Sequence, residues 1–286
     1  MLTKTTDTGY NNEFNFATVN GVDIAWRSHG SGRPLLMLNR FRGAMGDWDP
    51  ALIEALAREH RVITFDNAGV AASSGSVPSS LSGAAEFAIG LADALELERP
   101  HVLGWSMGGM TAQVLAAMHG ERIGGVVLAG TTPSFAVPGT IPLPEDWLAD
   151  ATRDHYDASL IREIFYTDTP VGRAACQASL ERTGDGDVTA GAKLKTTVET
   201  MAGQGVATRA FFSGEDGAFR HLGAIKVPVL VANGDRDRAF AIENSIALFR
   251  AIPKSELAVY PDAGHAFLFQ HANRFATDVT HFLAGA

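Results

Sequence analysis

Apolar and polar positions change rhythm several times along the chain, and each change predicts an element. Phe14, Phe16 and Thr18 alternate with polar neighbours, and after Asn20-Gly21 so do Val22, Ile24 and Trp26, which predicts a β-hairpin. The continuous run Pro34-Leu-Leu-Met-Leu38 predicts a strand covered on both faces. Trp48, Leu52 and Leu56 then keep helical spacing, Arg61-Val-Ile-Thr-Phe65 reads as another strand, and Leu81, Ala85, Ala88, Ile89, Ala92 and Leu95 give a second helix. His101-Val-Leu103 is a short apolar run, followed by Met107, Met110, Val114, Leu115 and Met118 at spacings of three and four. Val126-Val-Leu-Ala129 closes this half. Strands alternating with helices predict right-handed crossovers and a mostly parallel sheet with helices on both faces.

The rhythm breaks between Pro133 and about Leu222, where prolines cluster up to Pro144 and the stretches beyond are helix-like, with no buried-strand pattern. It returns at Val227-Pro-Val-Leu-Val-Ala232, then a helix carrying Ile242, Ile246 and Phe249, a strand at Leu257-Ala-Val-Tyr260, and a last helix with Phe275, Val279 and Phe282. The expected organisation is therefore an α/β core of residues 1–133 and 223–286, with a helical cap of 134–222 inserted in it.

One join between strand and helix carries chemistry. Leu103-Gly104-Trp105-Ser106-Met107-Gly108-Gly109 reads G-x-S-x-G, and glycines two before and two after the serine let strand and helix meet around a sharp turn. Such a turn holds the Ser106 hydroxyl at a helix N-terminus, where free backbone N–H groups favour a developing negative charge. A chance match is not rare in a chain with 30 glycines; the strand-then-helix context is what singles this one out. A serine nucleophile needs a base, and the base needs a carboxylate to hold its tautomer. The ends of later strands are where those partners belong. Asn233-Gly234-Asp235-Arg236-Asp237 follows one such strand and Pro261-Asp262-Ala263-Gly264-His265 the next, in the order Ser, Asp, His. Spacing alone leaves Asp235 and Asp237 both open.

Composition narrows the class. The chain has 286 residues, 46% hydrophobic and 19% charged, and no apolar run of the ~18 residues that would suggest a membrane span. Its polar opening, Met1 to Gly9, has no apolar core of a secretory signal and is expected to fray, and the expected location is cytoplasmic. A net charge of −9 without a basic cluster argues against nucleic acid as a partner. The single cysteine, Cys176, can form no internal disulfide and reads as filler. The other histidines, His29, His60, His101, His119, His155, His221, His271 and His281, lack the paired spacing of a metal site, so no metal is expected. His271 is expected inside the final helix.

With these three stretches in this order, the chain resembles the α/β-hydrolase fold superfamily, of the capped esterase, lactonase and cofactor-free haloperoxidase-like kind. The resemblance spans nearly the whole chain and is weakest in the cap. It implies a mostly parallel sheet of about eight strands and chemistry without a cofactor. In such proteins the acid sits in a G-x-x-D turn and the histidine in a G-H pair, which implies Asp237 and His265 as partners of Ser106. The oxyanion donors implied are the backbone N–H groups of Met107 and Phe41. The loop before Phe41 usually opens His-Gly; here it reads Asn39-Arg40, and Arg40 resists backbone angles that glycine accepts. The hole is therefore expected to be shaped differently, with the Arg40 side chain folded away, lying over the site, or simply making a surface ion pair. A second departure is Ala71 in Gly69-Val70-Ala71-Ala72-Ser73, where similar proteins carry a glycine; this is read as a scaffold turn. Arg40, Trp48, Trp105 and Trp147 are the candidate pocket residues.

The leading expectation is a serine hydrolase cleaving a small, largely apolar carboxylic ester or lactone through an acyl-enzyme. Amide or iminopeptidase, carbon–carbon bond hydrolase and perhydrolase activity share the apparatus, and a ligand receptor that retains the triad is a further alternative. The partner expected is a small molecule, neither nucleic acid nor membrane, and the oligomeric state is left open.

Overall fold

The computed structural model describes residues 14–184, 196–215 and 218–286; the polar lead expected to fray lies outside them. β1 (Asn15–Val19) and β2 (Val22–His29) form the expected hairpin, with Asn15 opposite Trp26 and Val19 opposite Val22. Asn20 and Gly21 take φ of 52° and 79°, the pair of positive values that a two-residue turn needs to match the twist of its strands.

β3 (Arg33–Leu38), β4 (His60–Phe65), β5 (His101–Trp105), β6 (Val126–Ala129), β7 (Val229–Gly234) and β8 (Ser255–Tyr260) complete an eight-stranded sheet in the order β1-β2-β4-β3-β5-β6-β7-β8. β2 runs antiparallel to β4, and every later pairing is parallel. β5, β6 and β7 are buried at every residue, which is why they read as unbroken apolar runs. At the two edges Phe16 and Val259 reach solvent.

Between the strands lie α1 (Pro50–Leu56), α2 (Leu81–Ala94), α3 (Met107–His119) and α8 (Ile242–Ala251), and beyond β8 lie α9 (Phe267–Gln270) and α10 (Ala272–Ala284). α1 packs on α10 and α2 on α3, one pair on each face of the sheet. Asp49 caps α1 by accepting from the Ala51 amide at 2.9 Å, and Ser80 caps α2 through Gly83. α3 is buried continuously from Met107 to Ala116, with only its end, including Met118, exposed. Its buried Gln113 donates from Nε2 to the carbonyls of Gly109 and Thr132.

Two details depart from the apolar pattern. α8 turns Asn244, Ser245, Ala247 and Leu248 inward and leaves Phe249 exposed, because Asn244 is needed inside: its side chain clasps the backbone N–H and C=O of Ile141 at 2.6 and 2.9 Å. His271 sits at the junction of α9 and α10, not inside a helix, and its Nε2 meets the Pro261 carbonyl at 3.2 Å.

The long interval between β6 and β7 holds α4 (Glu145–Ala151), α5 (Ala158–Phe165), α6 (Pro170–Thr183) and α7 (Val198–Ser213), with no strand among its described residues. Asp157, Thr169 and Thr197 cap α5, α6 and α7 through their side chains. A short 3₁₀ segment, Ala218–Ala224, then packs on α3 and α8 and leads into β7. No helix among the described residues is long and apolar enough to cross a membrane.

Candidate active site

Parallel strands bring their carboxyl ends to one edge of the sheet, so the loops after β3, β5, β6, β7 and β8 converge there. Ser106 sits at the turn from β5 into α3 with φ 58° and ψ −118°, a strained conformation for a residue with a side chain. The turn is locked around it. Its N–H donates to the Ala129 carbonyl at 2.9 Å, its own carbonyl accepts from Thr131 Oγ1 at 2.7 Å, and its side chain makes no capping bond to α3. The flanking glycines are required by close approach: a Cβ on Gly104 would collide with the Gly108 carbonyl, and one on Gly108 with that of Leu38.

Past β7, Asp237 and Asp235 separate clearly. Asp237 is buried; its Oδ1 accepts from the N–H groups of Ala239 at 2.7 Å and Phe240 at 3.1 Å, and its Oδ2 lies 2.8 Å from His265 Nδ1. Asp235 is exposed and accepts from the Ala263 amide at 3.1 Å, bracing the loop that carries His265. An ionised carboxylate only accepts, so the Asp237 contact places the imidazole proton on Nδ1 and leaves Nε2 as an acceptor. His265 and Asp237 are almost completely withdrawn from water, at 1% and 0% side-chain exposure. Trp105, the residue before Ser106, donates its indole N–H to the His265 carbonyl at 3.0 Å, which ties the serine turn to the histidine loop.

Aromatic rings surround His265. Trp105, Trp147, Phe165 and Phe240 have ring centroids 5.6, 5.7, 5.9 and 5.7 Å from the imidazole, and Phe165 is nearly parallel to it. Trp147 comes from α4 and is oriented by its indole N–H bond to the Ile164 carbonyl at 3.1 Å. Trp48 lies one ring further back, packed on Trp105 and Phe269. Phe165 lies in the interval whose pattern reads only as helix-like, and Phe240, three residues after Asp237, carries no signal of its own in the sequence.

The loop after β3 is held by its side chains. Asn39 is buried, donates from Nδ2 to the Ala44 carbonyl at 2.6 Å and accepts the Arg40 N–H at 2.8 Å. Arg40 does not take the positive φ; Arg42 does, at 59°, so the strain expected at the departing residue falls two positions later. The Arg40 guanidinium bonds the Phe41 carbonyl at 2.9 Å and Asp47 at 3.1 Å, and lies 5.0 and 5.6 Å from the ring centroids of Phe165 and Trp105. It therefore makes an ion pair and also lies against two of the rings around His265. Among the described residues, the amides of Arg40, Arg42 and Gly43 have protein acceptors and that of Phe41 has none. Met107, at the first position of α3, likewise has an N–H with no helical partner.

The second departing loop is scaffold in its contacts. Ala71 takes φ 48°, Ser73 ties Asp66 to the Ala25 amide, and Asp66 accepts from Met45 and Ala72, while burial pushes its carboxyl above the usual range. Burial also raises the Cys176 thiol to about 11, far from a thiolate at neutral pH. Among the described residues, no three His, Cys, Asp or Glu side chains gather where a metal ion could be held.

Known proteins share this arrangement of chain. The sequence profile described as alpha/beta hydrolase fold matches residues 33–272. A non-heme haloperoxidase from Rhodococcus erythropolis is 29% identical over 92% of this chain and 96% of its own length. A 2-hydroxymuconate semialdehyde hydrolase from Pseudomonas sp. is 26% identical over 93% of this chain and 92% of its own. Among solved structures, an alpha/beta hydrolase fold protein from Chitinophaga pinensis superposes with a TM-score of 0.81 at 25% identity, covering 96% of this chain and 98% of the other.

Proposed function

Because this chain belongs to the alpha/beta hydrolase fold family, we propose that it is a cofactor-independent serine hydrolase in which Ser106, His265 and Asp237 act as a triad. The observation that carries the reading is the buried 2.8 Å contact between His265 Nδ1 and Asp237 Oδ2, joined to the serine turn through Trp105. With its proton held on Nδ1, the imidazole takes the Ser106 proton at Nε2 as the hydroxyl attacks a carbonyl carbon. The N–H groups of Phe41 and Met107 receive the oxyanion. His265 then returns the proton to the leaving group, and a water activated by the same nitrogen releases the acid and regenerates Ser106.

The substrate that fits best is a small, largely apolar carboxylic ester or lactone. Support comes from the rings packed around His265, since pockets of this kind are mostly apolar with a few polar groups fixing orientation. The helical interval between β6 and β7 is read as a cap over the serine, because it supplies Trp147 and Phe165 to that cluster. A carbon–carbon bond hydrolase is the second reading, favoured by the likeness to the Pseudomonas semialdehyde hydrolase along nearly the full length of both chains.

A fluorophosphonate probe together with a panel of p-nitrophenyl esters, lactones and vinylogous 1,5-diketones tests both. Ser106-dependent labelling with turnover of esters or lactones is expected, while turnover confined to the diketones selects the second reading. If Ser106→Ala keeps more than about a thousandth of the wild-type rate, the nucleophile assignment fails.

A further inference from the structure

The turn that offers the Phe41 amide is not self-supporting. Arg40 to Gly43 form a β-turn closed by the Gly43 N–H to Arg40 carbonyl bond of 3.0 Å, with Arg42 in the third position at φ 59°. A positive φ at that place in a turn belongs to glycine or asparagine, because a Cβ meets its own backbone there. An arginine stays in it only if its surroundings over-determine the conformation.

Those surroundings come from the interval between β6 and β7. The Arg42 N–H donates to Gln204 Oε1 of α7 at 2.7 Å, and Thr196 Oγ1 donates to the Arg42 carbonyl at 3.4 Å. The guanidinium donates to the Arg153 carbonyl at 2.6 Å and to the carbonyl of Ala151, the last residue of α4, at 3.3 Å, and lies 4.9 Å from the Tyr156 ring centroid. The peptide between Phe41 and Arg42, the one whose rotation interconverts turn types, is thus gripped at both ends. Arg40 Nη1 holds its carbonyl, and Gln204 holds its N–H. Gln204 is itself buried at 2% exposure on the face that α7 turns inward.

We propose that Arg42 and Gln204 form a latch through which the interval between β6 and β7 holds the 40–43 turn in shape, and with it the Phe41 amide. As far as it concerns catalysis, this rests on the hydrolase reading above. The interval then does more than roof a pocket. It supplies an organising contact to one of two oxyanion donors, and donors stabilise a transition state best when they are ordered before the reaction. Arg42 and Gln204 are positioning residues.

The test separates the latch from ordinary packing. Gln204→Met keeps the side-chain volume and removes the acceptor. In the Arg42 background it should lower kcat for p-nitrophenyl acetate by about tenfold with KM nearly unchanged, and speed amide hydrogen exchange in the peptide covering 39–46. In an Arg42→Gly background, where the positive φ costs little, the same change should lower kcat by less than about threefold. Arg42→Ala should fall below Arg42→Gly in kcat, although both lose every guanidinium contact, and this pair still decides the matter if Gln204→Met does not fold. Equal penalties in the two backgrounds, unaltered exchange at 39–46, or an alanine variant as active as the glycine variant would each overturn the latch. Absence of Ser106-dependent turnover in the wild type would overturn the hydrolase reading instead, and the exchange measurement would still judge the latch.

Discussion

The two sides of Ser106 are built in different ways. On the histidine side, the acid is fixed by the chain that carries it: Asp237 accepts from amides two and three residues further on, and the loops after β7 and β8 brace one another through Asp235 and the Ala263 amide. On the turn side, residues 39–44 are tied by Asn39, Arg40 and Asp47 within the loop and by Gln204, Arg153 and Ala151 from more than a hundred positions away. The first side is set by strand ends and short-range backbone bonds. The second depends on how the distant interval between β6 and β7 packs, so it is where divergence can reshape a site without disturbing the sheet.

The largest effect should come from breaking the histidine side. Asp237→Asn offers an amide that can stabilise the wrong imidazole tautomer, and kcat should fall by about 10⁴. Asp235→Asn, at an exposed loop bond, should stay within about tenfold of wild type. Steady-state rates on one ester suffice, and a larger loss at 235 would reverse the assignment.

The packing of the interval between β6 and β7 is tested at Asp49. This carboxylate is fully buried and receives the Ala51 amide, Ser179 Oγ at 2.7 Å, and Arg182 Nε and Nη2 at 2.8 and 2.7 Å, so it fastens α6 to the start of α1. Asp49→Ala leaves a half-buried guanidinium and a buried hydroxyl without their acceptor, and should cost about 3 kcal/mol in urea unfolding. A loss below about 0.5 kcal/mol would mean that the pair acts like an exposed one.

Acid should weaken the sheet beneath both sides. His101, buried at the start of β5, accepts the Gly125 N–H at Nδ1 and lies 6.3 Å from the His60 ring. Burial, then the Arg33 and His60 charges, lower its pKa to about 4, and burial also lowers His60. The unfolded chain takes up a proton near pH 6.5 that the folded protein refuses until about pH 4. Stability is therefore retained above pH 6.5 and lost as pH falls through that window, by on the order of 3 kcal/mol for His101. His101→Gln should flatten the profile in urea titrations at pH 7, 6 and 5; an unchanged slope would reject this assignment.

The smallest effect concerns substrate choice, where the interval between β6 and β7 meets the histidine side. Trp147→Ala should shift the ratio of kcat/KM between p-nitrophenyl octanoate and acetate by roughly 1–3 kcal/mol, with acetate least affected. A uniform factor across chain lengths would make Trp147 a packing residue only.

Much of this molecule was legible in its sequence. The hairpin at Asn20-Gly21, the apolar runs of β3, β6 and β7 and the G-x-S-x-G turn follow from local rules: strand twist selects the turn residues, two-sided burial removes alternation, and close approach at Gly104 and Gly108 excludes a Cβ. Ser106 and His265 stand out for a related reason, since Ser106 directly follows the β5 run and His265 ends the short loop that follows β8. Between Asp235 and Asp237 spacing alone could not choose, because only the fold shows which carboxylate turns inward to His265 Nδ1. The inward face of α8 was likewise hidden, since Asn244 is buried to serve Ile141, a residue 103 positions away. Nothing local marks Arg42 as left-handed or Gln204 as its acceptor. Periodicity reports which side of an element is dry, whereas a hydrogen bond between residues 162 positions apart exists only once the interval between β6 and β7 has packed, and in the proposed latch that contact lets an arginine hold a glycine's conformation.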